Sequence, residues 1–427
     1  MKRRWLCLMV LFGLLAVTVT AAAQEPDCVG CHTAQGITGS ALRDWKLSKH
    51  AAGGVTCAQC HLTGDATVKT SACETNGVVR AVSAKACAQC HPDQAGQFAK
   101  SKHAAAWVAM TAMPTTKDQP HALMDGMKGC GGCHRVGLDG GKCDSCHTRH
   151  LFSAAEARRP EACATCHMGF DHPQWEMYST SKHGALYMQT AHKTNWDVPL
   201  KDWFKEAATA YPDSPRTPTC AFCHMPGGDH GVKTSWGFLA LRLPEDDPEW
   251  MADRAVILQA LGVLDKEGKP TARLELVKAG DVARLTKEEW QARRDQMIGQ
   301  CSKCHGPSFA KEELQKGDEI IRAADRLMAQ AIQEVYGLYR DGILPEPQDR
   351  PFSVDVLRFY EVDNPIEQKL YVMLMEHRMR TFQGAFHMNP DYQHWYGWAE
   401  MKRDLAEIKA EAAALRKEHA KGAKAPA

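Results

Sequence analysis

The sequence predicts a mainly α protein, with an N-terminal body packed around prosthetic groups and long helices at the C-terminal end. Three observations carry this. The pentapeptide Cys-x-x-Cys-His recurs eight times, at Cys28–His32, Cys57–His61, Cys87–His91, Cys130–His134, Cys143–His147, Cys163–His167, Cys220–His224 and Cys301–His305. Gly, Pro and short helical stretches fill the spaces between the first seven copies, leaving little room for sheet. Beyond the eighth, apolar residues recur at helical spacing over a long stretch.

Each pentapeptide reads as a covalent c-type haem attachment, in which two thiols add to the porphyrin vinyl groups and the histidine sits beneath the iron. The composition gives roughly 0.03 such pentapeptides by chance. Zinc sites or disulfides would not require a histidine after every second cysteine. The chain is therefore read as a multihaem cytochrome c with eight haems. The attaching thiols are Cys28 and Cys31, Cys57 and Cys60, Cys87 and Cys90, Cys130 and Cys133, Cys143 and Cys146, Cys163 and Cys166, Cys220 and Cys223, and Cys301 and Cys304. The proximal ligands are His32, His61, His91, His134, His147, His167, His224 and His305. Of 18 cysteines only Cys7 and Cys73 fall outside the motifs, so intrachain disulfides contribute nothing.

Residues 1–23 read as a signal peptide. Lys2, Arg3 and Arg4 precede an apolar run from Leu6 to Val19, and Ala21-Ala22-Ala23 forms a small-residue cleavage site. No later stretch reaches the length of a membrane span. The expectation is a periplasmic protein, in keeping with haem attachment on the export side. With 52 basic against 51 acidic residues, nothing points to nucleic acid. Residues 24–305 form the octahaem region and 306–427 a C-terminal helical region with an expected oligomer contact.

Taken in order, residues 24–235 hold seven motifs, and 237–300 hold none. That stretch predicts a helix near Glu249–Leu261, a turn over 265–270, and a second helix from about Lys287 with Thr286 and Glu289 as its capping box. After the eighth motif, Leu314, Ile321, Met328 and Val335 recur every seven residues, joined by Ile320, Leu327, Ile332 and Leu338 on one broad apolar face. Pro345, Pro347 and Pro351 break the chain. Asn364-Pro365 and Asn389-Pro390 each place an N-cap before a proline at the first helical position. The final charged helix packs on a partner helix or presents a solvated face; both readings stay open.

Function turns on the sixth ligand of each iron, because a haem with two histidines passes electrons only, whereas an open one binds and transforms a substrate. Of 20 histidines, 12 are not proximal. His50, His103 and His183 each end a Ser-Lys-His tripeptide and precede Ala or Gly, which lets a porphyrin approach the backbone. They are distal-ligand candidates. His150, His121, His192 and His230 complete a set of seven. His377, His387, His394 and His419 fall in the helical tail, where packing or surface roles are expected. His172, next to Asp171, is left over: beside an open iron the pair would exchange protons, whereas as a ligand His172 would close the eighth haem and make the chain a wire.

The segment Cys163-Ala-Thr-Cys-His167-Met-Gly-Phe-Asp171-His172-Pro-Gln followed by Ser181-Lys182-His183-Gly184 resembles the hydroxylamine oxidoreductase family of octahaem cytochromes. So do Cys143-Asp-Ser-Cys-His147-Thr-Arg-His150 and the tail Phe386-His387-Met388-Asn389-Pro390-Asp391-Tyr392 through Trp395-Tyr396-Gly397-Trp398. The resemblance covers nearly the whole chain after the signal. It implies that the fourth haem, on Cys130, Cys133 and His134, is five-coordinate and catalytic, with Asp171 and His172 in its distal pocket. It implies a homotrimer, a small nitrogen substrate, and a small redox partner such as a cytochrome c or a quinol-linked protein. Family members oxidise hydroxylamine toward nitric oxide or nitrite, or run in reverse and reduce nitrite. In oxidative members a neighbouring subunit's tyrosine is cross-linked to the catalytic porphyrin, and Tyr371, Tyr392 and Tyr396 lie in the corresponding tail region. A third pocket residue, a tyrosine in oxidative members, would fall near Phe238 or Tyr336. No Cys-x-x-Cys-Lys motif is present, which counts against the tetrathionate, sulfite and pentahaem nitrite reductase types.

Overall fold

The computed structural model describes residues 27–63, 77–111, 129–203, 217–232, 243–279, 286–347, 354–358 and 364–422. The signal peptide, Cys73, His121 and Phe238 lie outside the described residues. Within them the fold is helical, and the β pairing consists of isolated bridges such as Leu62 with Val78. No described helix is long and apolar enough to cross a membrane.

The haem-motif body is a succession of short helices and turns, because each motif needs only one helical turn. Its side-chain core is aromatic: Tyr178, Tyr187, Trp196, Leu200, Trp203 and Phe222 pack together beside the seventh motif. Seven longer helices follow: α1 (Pro248–Ala260), α2 (Ala272–Ala279), α3 (Lys287–Cys301), α4 (Pro307–Arg340), α5 (Pro365–Val372), α6 (Met379–Phe386) and α7 (Glu400–Gly422). The capping box at the start of α3 forms, since Glu289 N donates to Thr286 Oγ1 at 3.2 Å and Thr286 N donates to Glu289 Oε2 at 2.9 Å. Asp265 accepts from the backbone of Glu267 and Lys269 and closes the turn before α2.

Helix α4 is the axis of the C-terminal region, and α1, α3, α6 and α7 all pack against it. Leu314, Ile321, Leu327, Met328, Ile332, Val335 and Leu338 are buried along it, whereas Ile320 sits at the stripe's edge, half-buried. Met401, Leu405, Ile408 and Ala412 of α7 bury against the same core, so the final helix finds its partner helix within this chain. Where α1 and the turn leading into α6 approach α4, a fully buried charge cluster replaces apolar packing. Asp325 pairs with Arg254 at 2.8 Å and Arg378 at 2.6 Å, and accepts from Trp250 Nε1 at 2.7 Å. Burial alone would raise the Asp325 carboxyl, but the two guanidiniums hold it below the usual carboxylate range.

Between α5 and α6 the helix takes a π-helical turn (Met373–Arg378), where His377 bonds Asp404 of α7 at 2.5 Å. A second π-helical segment (Asp391–Ala399) folds back on α6. The two approach at glycines: a Cβ on Gly384 would lie 2.6 Å from Gln393 N, and one on Gly397 2.6 Å from Thr381 N. Met388 takes a left-handed φ of 53° in the connecting bend. This tight hairpin carries His387 and Asn389 toward the haem-motif body.

Candidate functional site

Every attachment motif folds on the same principle. The histidine N–H bonds the carbonyl of the first cysteine, for instance at 3.0 Å in Cys130–His134 and 2.9 Å in both Cys163–His167 and Cys301–His305. A helical i, i+4 step therefore puts that cysteine and the histidine on one side, as a porphyrin held over the turn requires. The attachment thiols also approach those of neighbouring motifs. Cys87 touches Cys143, Cys133 touches Cys166, and Cys163 touches Cys220. Cys60 lies in the field of Cys87 and Cys90, Cys146 in that of Cys163 and Cys166, and Cys223 in that of Cys301 and Cys304. Motifs two, three, five, six, seven and eight thus form a connected series, with the fourth joined at the sixth.

A metal–imidazole bond is about 2.0 Å and the ring centre lies roughly 1.2 Å further back, so two imidazoles across one iron have centres about 6.3 Å apart. Six proximal histidines have another imidazole at that spacing, and His167 has two, since His172 also stands 6.0 Å from it with the rings at 87°. His50 faces His91 at 6.1 Å, His150 faces His61 at 6.1 Å, and His103 faces His167 at 5.9 Å. His230 faces His147 at 6.2 Å, His183 faces His305 at 6.2 Å, and His387 faces His224 at 6.4 Å. Five of these partners are among the expected seven. His387 is a correction: read from sequence as a tail residue, it is delivered to the seventh motif by the α6 hairpin. His192 is the opposite correction, since it lies exposed on a short 3-10 turn and meets no proximal histidine among the described residues. The boundary at 305/306 is accordingly crossed by the C-terminal region, which supplies one of the facing rings.

The rings are pre-oriented for a metal. Nδ1 of His61, His134 and His387 donates to the carbonyls of Val79, Ala106 and Gln383 at 2.7, 2.8 and 2.8 Å. A carbonyl only accepts, so each Nδ1 holds the proton and Nε2 keeps its lone pair for iron. Burial pushes His167 and His224 down to about 4, keeping both neutral at ordinary pH. The Ser-Lys-His tripeptides carry a further signal, in their serines. Ser48, Ser101 and Ser181 are buried and accept from the backbone N–H of Ala51, Ala104 and Gly184 at 3.1, 3.3 and 3.2 Å. Each serine caps a helical turn and so fixes the histidine two positions on. Apolar side chains flank the ligand turns: Leu47, Leu186 and Phe309, respectively 71%, 42% and 50% exposed, lie one turn from His50, His183 and His305. Paired thiols, facing neutral imidazoles and this apolar fringe fit haem c.

No described imidazole faces His134. Asp171 is nearby: its charge acts on Cys130 and Cys133, and the field of His134 in turn lowers its own carboxyl. His172 Nδ1 bonds Asp171 Oδ1, and the ring also bonds the Cys166 backbone. Burial would lower the His172 imidazole and raise the Asp171 carboxyl, yet their mutual bond reverses both, leaving His172 above and Asp171 below its ordinary value. The His172 ring is thus held between Asp171 and the Cys166 backbone. His32 also faces no described imidazole; its Nδ1 meets Thr38 Oγ1 at 2.8 Å. Among the tyrosines, Tyr371 stacks on Phe170 at 6.0 Å, next to Asp171, while the rings of Tyr392 and Tyr396 lie against each other at 5.1 Å.

Comparison with known proteins gives the same picture. A family model described as seven times multi-haem cytochrome CxxCH matches residues 24–242 and 272–351. A probable nitrite reductase-hydroxylamine oxidoreductase fusion protein from Kuenenia stuttgartiensis is 26% identical over 487 residues, covering 94% of this chain and 53% of that protein. The chain thus spans about half the length of that relative. Among solved structures, a reducing HAO-like protein complex from Kuenenia stuttgartiensis aligns with TM-score 0.66 and 25% identity over 92% of this chain and 85% of its own. A hypothetical multiheme protein shares the fold with TM-score 0.65 at 19% identity, over 92% and 96% of the two chains. With its repeated attachment motifs and facing imidazoles, the chain belongs to the multi-haem cytochrome CxxCH family.

Proposed function

We propose that this chain is a periplasmic octahaem oxidoreductase that converts a small nitrogen species, hydroxylamine in the first reading, at the iron carried by His134. The observation that supports it most is a contrast. Six proximal histidines face a second imidazole, whereas His134 faces none among the described residues and has the Asp171–His172 pair beside its attachment turn. His121, a distal-ligand candidate outside the described residues, would bring the closed irons to seven and leave one open. When bound, the haems supply a substrate-binding iron and a reservoir for several electrons.

The chain's own residues do the rest. Asp171 orients the His172 ring through Nδ1 and stabilises its protonated form. His172 then gives or takes a proton as each electron moves, so partly converted nitrogen species are not released. Ala106 holds His134 in the tautomer that ligates. A small cytochrome c or quinol-linked protein exchanges electrons with the assembly, a homotrimer.

The second reading is nitrite reduction at the same pocket, favoured by the names of the relatives, a nitrite reductase fusion and a reducing HAO-like complex. A cross-link from Tyr371, Tyr392 or Tyr396 to haem, seen by peptide mapping, supports oxidation. Its absence, together with nitrite turnover by reduced viologen, supports reduction. The test of the shared core is His172→Gln: it should retain eight haems and lose most turnover in whichever direction the wild type runs. Undiminished turnover refutes the proton role, and a wild type inactive in both directions leaves an electron conduit.

A further inference from the structure

Gln383 occupies an unusual place. It lies on α6, one turn before His387, and is 6% exposed. Its backbone carbonyl accepts from His387 Nδ1 at 2.8 Å, and its side-chain Nε2 reaches the Asp171 carbonyl at 3.5 Å. Its Oε1 is buried without a hydrogen-bond partner among the described protein atoms. Asn389, 2% exposed and just past His387, adds a second tie. Its Nδ2 donates to Met177 O at 2.8 Å and Thr180 Oγ1 at 2.7 Å, while its Oδ1 accepts from Tyr392 N at 3.1 Å. One hairpin of the C-terminal region thus grips residues 171–180 at both ends and carries the ring that faces His224.

We infer that Gln383 is a positioning residue for the Asp171–His172 pair, holding their loop in register with the α6 hairpin while its buried amide oxygen offers an unused acceptor beside that loop. The inference rests on the catalytic reading of that pocket. The physical reasons are separable. Asn389 satisfies all its polar atoms and so serves as a structural rivet. A buried amide with a bare acceptor is costly unless something donates to it. A long bond from Nε2 to the Asp171 carbonyl steers the loop without fixing it rigidly. The loop's carboxylate and imidazole need placement within fractions of an ångström to move protons efficiently.

The test uses holo-protein with Gln383→Leu, which removes donor and acceptor while the backbone carbonyl still anchors His387. Haem content and the low-spin signals of the closed irons should be unchanged. Turnover should fall about tenfold with KM little altered, and the infrared stretch of carbon monoxide on the reduced protein should shift, because that band reads pocket polarity. Should Gln383→Leu not fold, Gln383→Asn keeps an amide but withdraws it by one methylene, and the same shift and loss are expected. Wild-type turnover and an unmoved stretch in a fully haem-loaded variant overturn the inference. So does a variant that loses only Tm while its turnover and stretch stay wild-type, which marks a structural role. If the wild-type protein itself binds no carbon monoxide, the catalytic reading fails first and the inference falls with it, an outcome distinct from a silent variant.

Discussion

Replacing His387 with alanine should open a second iron. The wild-type ring faces His224 with centres 6.4 Å apart, the spacing at which both nitrogens reach one metal, and it is held there by Gln383. Alanine ends at Cβ and leaves the coordination position to small ligands. Carbon monoxide bound per reduced chain should rise from one to two. The stability cost has two parts. The lost Nδ1 bond contributes about 1 kcal/mol. Truncating a half-buried ring adds roughly 1–3 kcal/mol. The sum, about 2–4 kcal/mol, corresponds to a Tm fall of about 2–5 °C in a chain of this length. The assay is gas titration with optical detection, run beside His192→Ala, whose exposed ring predicts no change in either quantity. A stoichiometry that stays at one in a His387→Ala protein with full haem content would refute the pairing with His224.

Further outcomes follow from the packing and charge of the same region. Asp325→Ala strands Arg254 and Arg378 in a fully buried site and should cost about 3–5 kcal/mol in denaturant unfolding of the holo-protein; Asp325→Asn, which keeps an acceptor but also loses the charge, should cost nearly as much, and a near-neutral Asn variant would contradict the charge argument. The Asp171–His172 pair makes stability depend on pH in a defined window. His172 is raised from 6.5, so its contribution is full below that value and lost as pH rises through its folded pKa. Asp171 is lowered from 3.8, so its contribution is present above that value and lost as pH falls through its folded pKa. The Tm difference between wild type and His172→Gln should therefore be largest between pH 3.8 and 6.5 and shrink on either side; a flat difference contradicts the pairing. Gly397→Ala, whose new Cβ would meet the Thr381 backbone, should loosen the α6 hairpin and lower stability by about 1–3 kcal/mol.

Much of the molecule is legible in its amino-acid order. The pentapeptides name their thiols and proximal ligands because covalent attachment demands a contiguous motif. Thr286 with Glu289, and the apolar stripe of α4, also follow from local rules, since caps and helical periodicity span only a few residues. What the order of residues hides is long-range. His387 meets His224 only because two glycines let the π-helical segment close against α6, and nothing near His387 announces that partner. His192 is eligible by its place among the motifs, yet its turn faces outward. The serine of Ser-Lys-His reads easily as a spacer, although Ser-x-x with a following N–H is a cap signal. Asp325 is a charged residue on the apolar face of α4, the pattern that a buried ion cluster leaves in a sequence.

The central claim is that one iron is open and its companions are closed. Mössbauer spectroscopy of the iron-57-enriched, fully haem-loaded protein counts spin states directly. The account predicts that one iron in eight is high-spin and that carbon monoxide converts that component alone. A spectrum composed wholly of low-spin iron, unmoved by carbon monoxide, would contradict it.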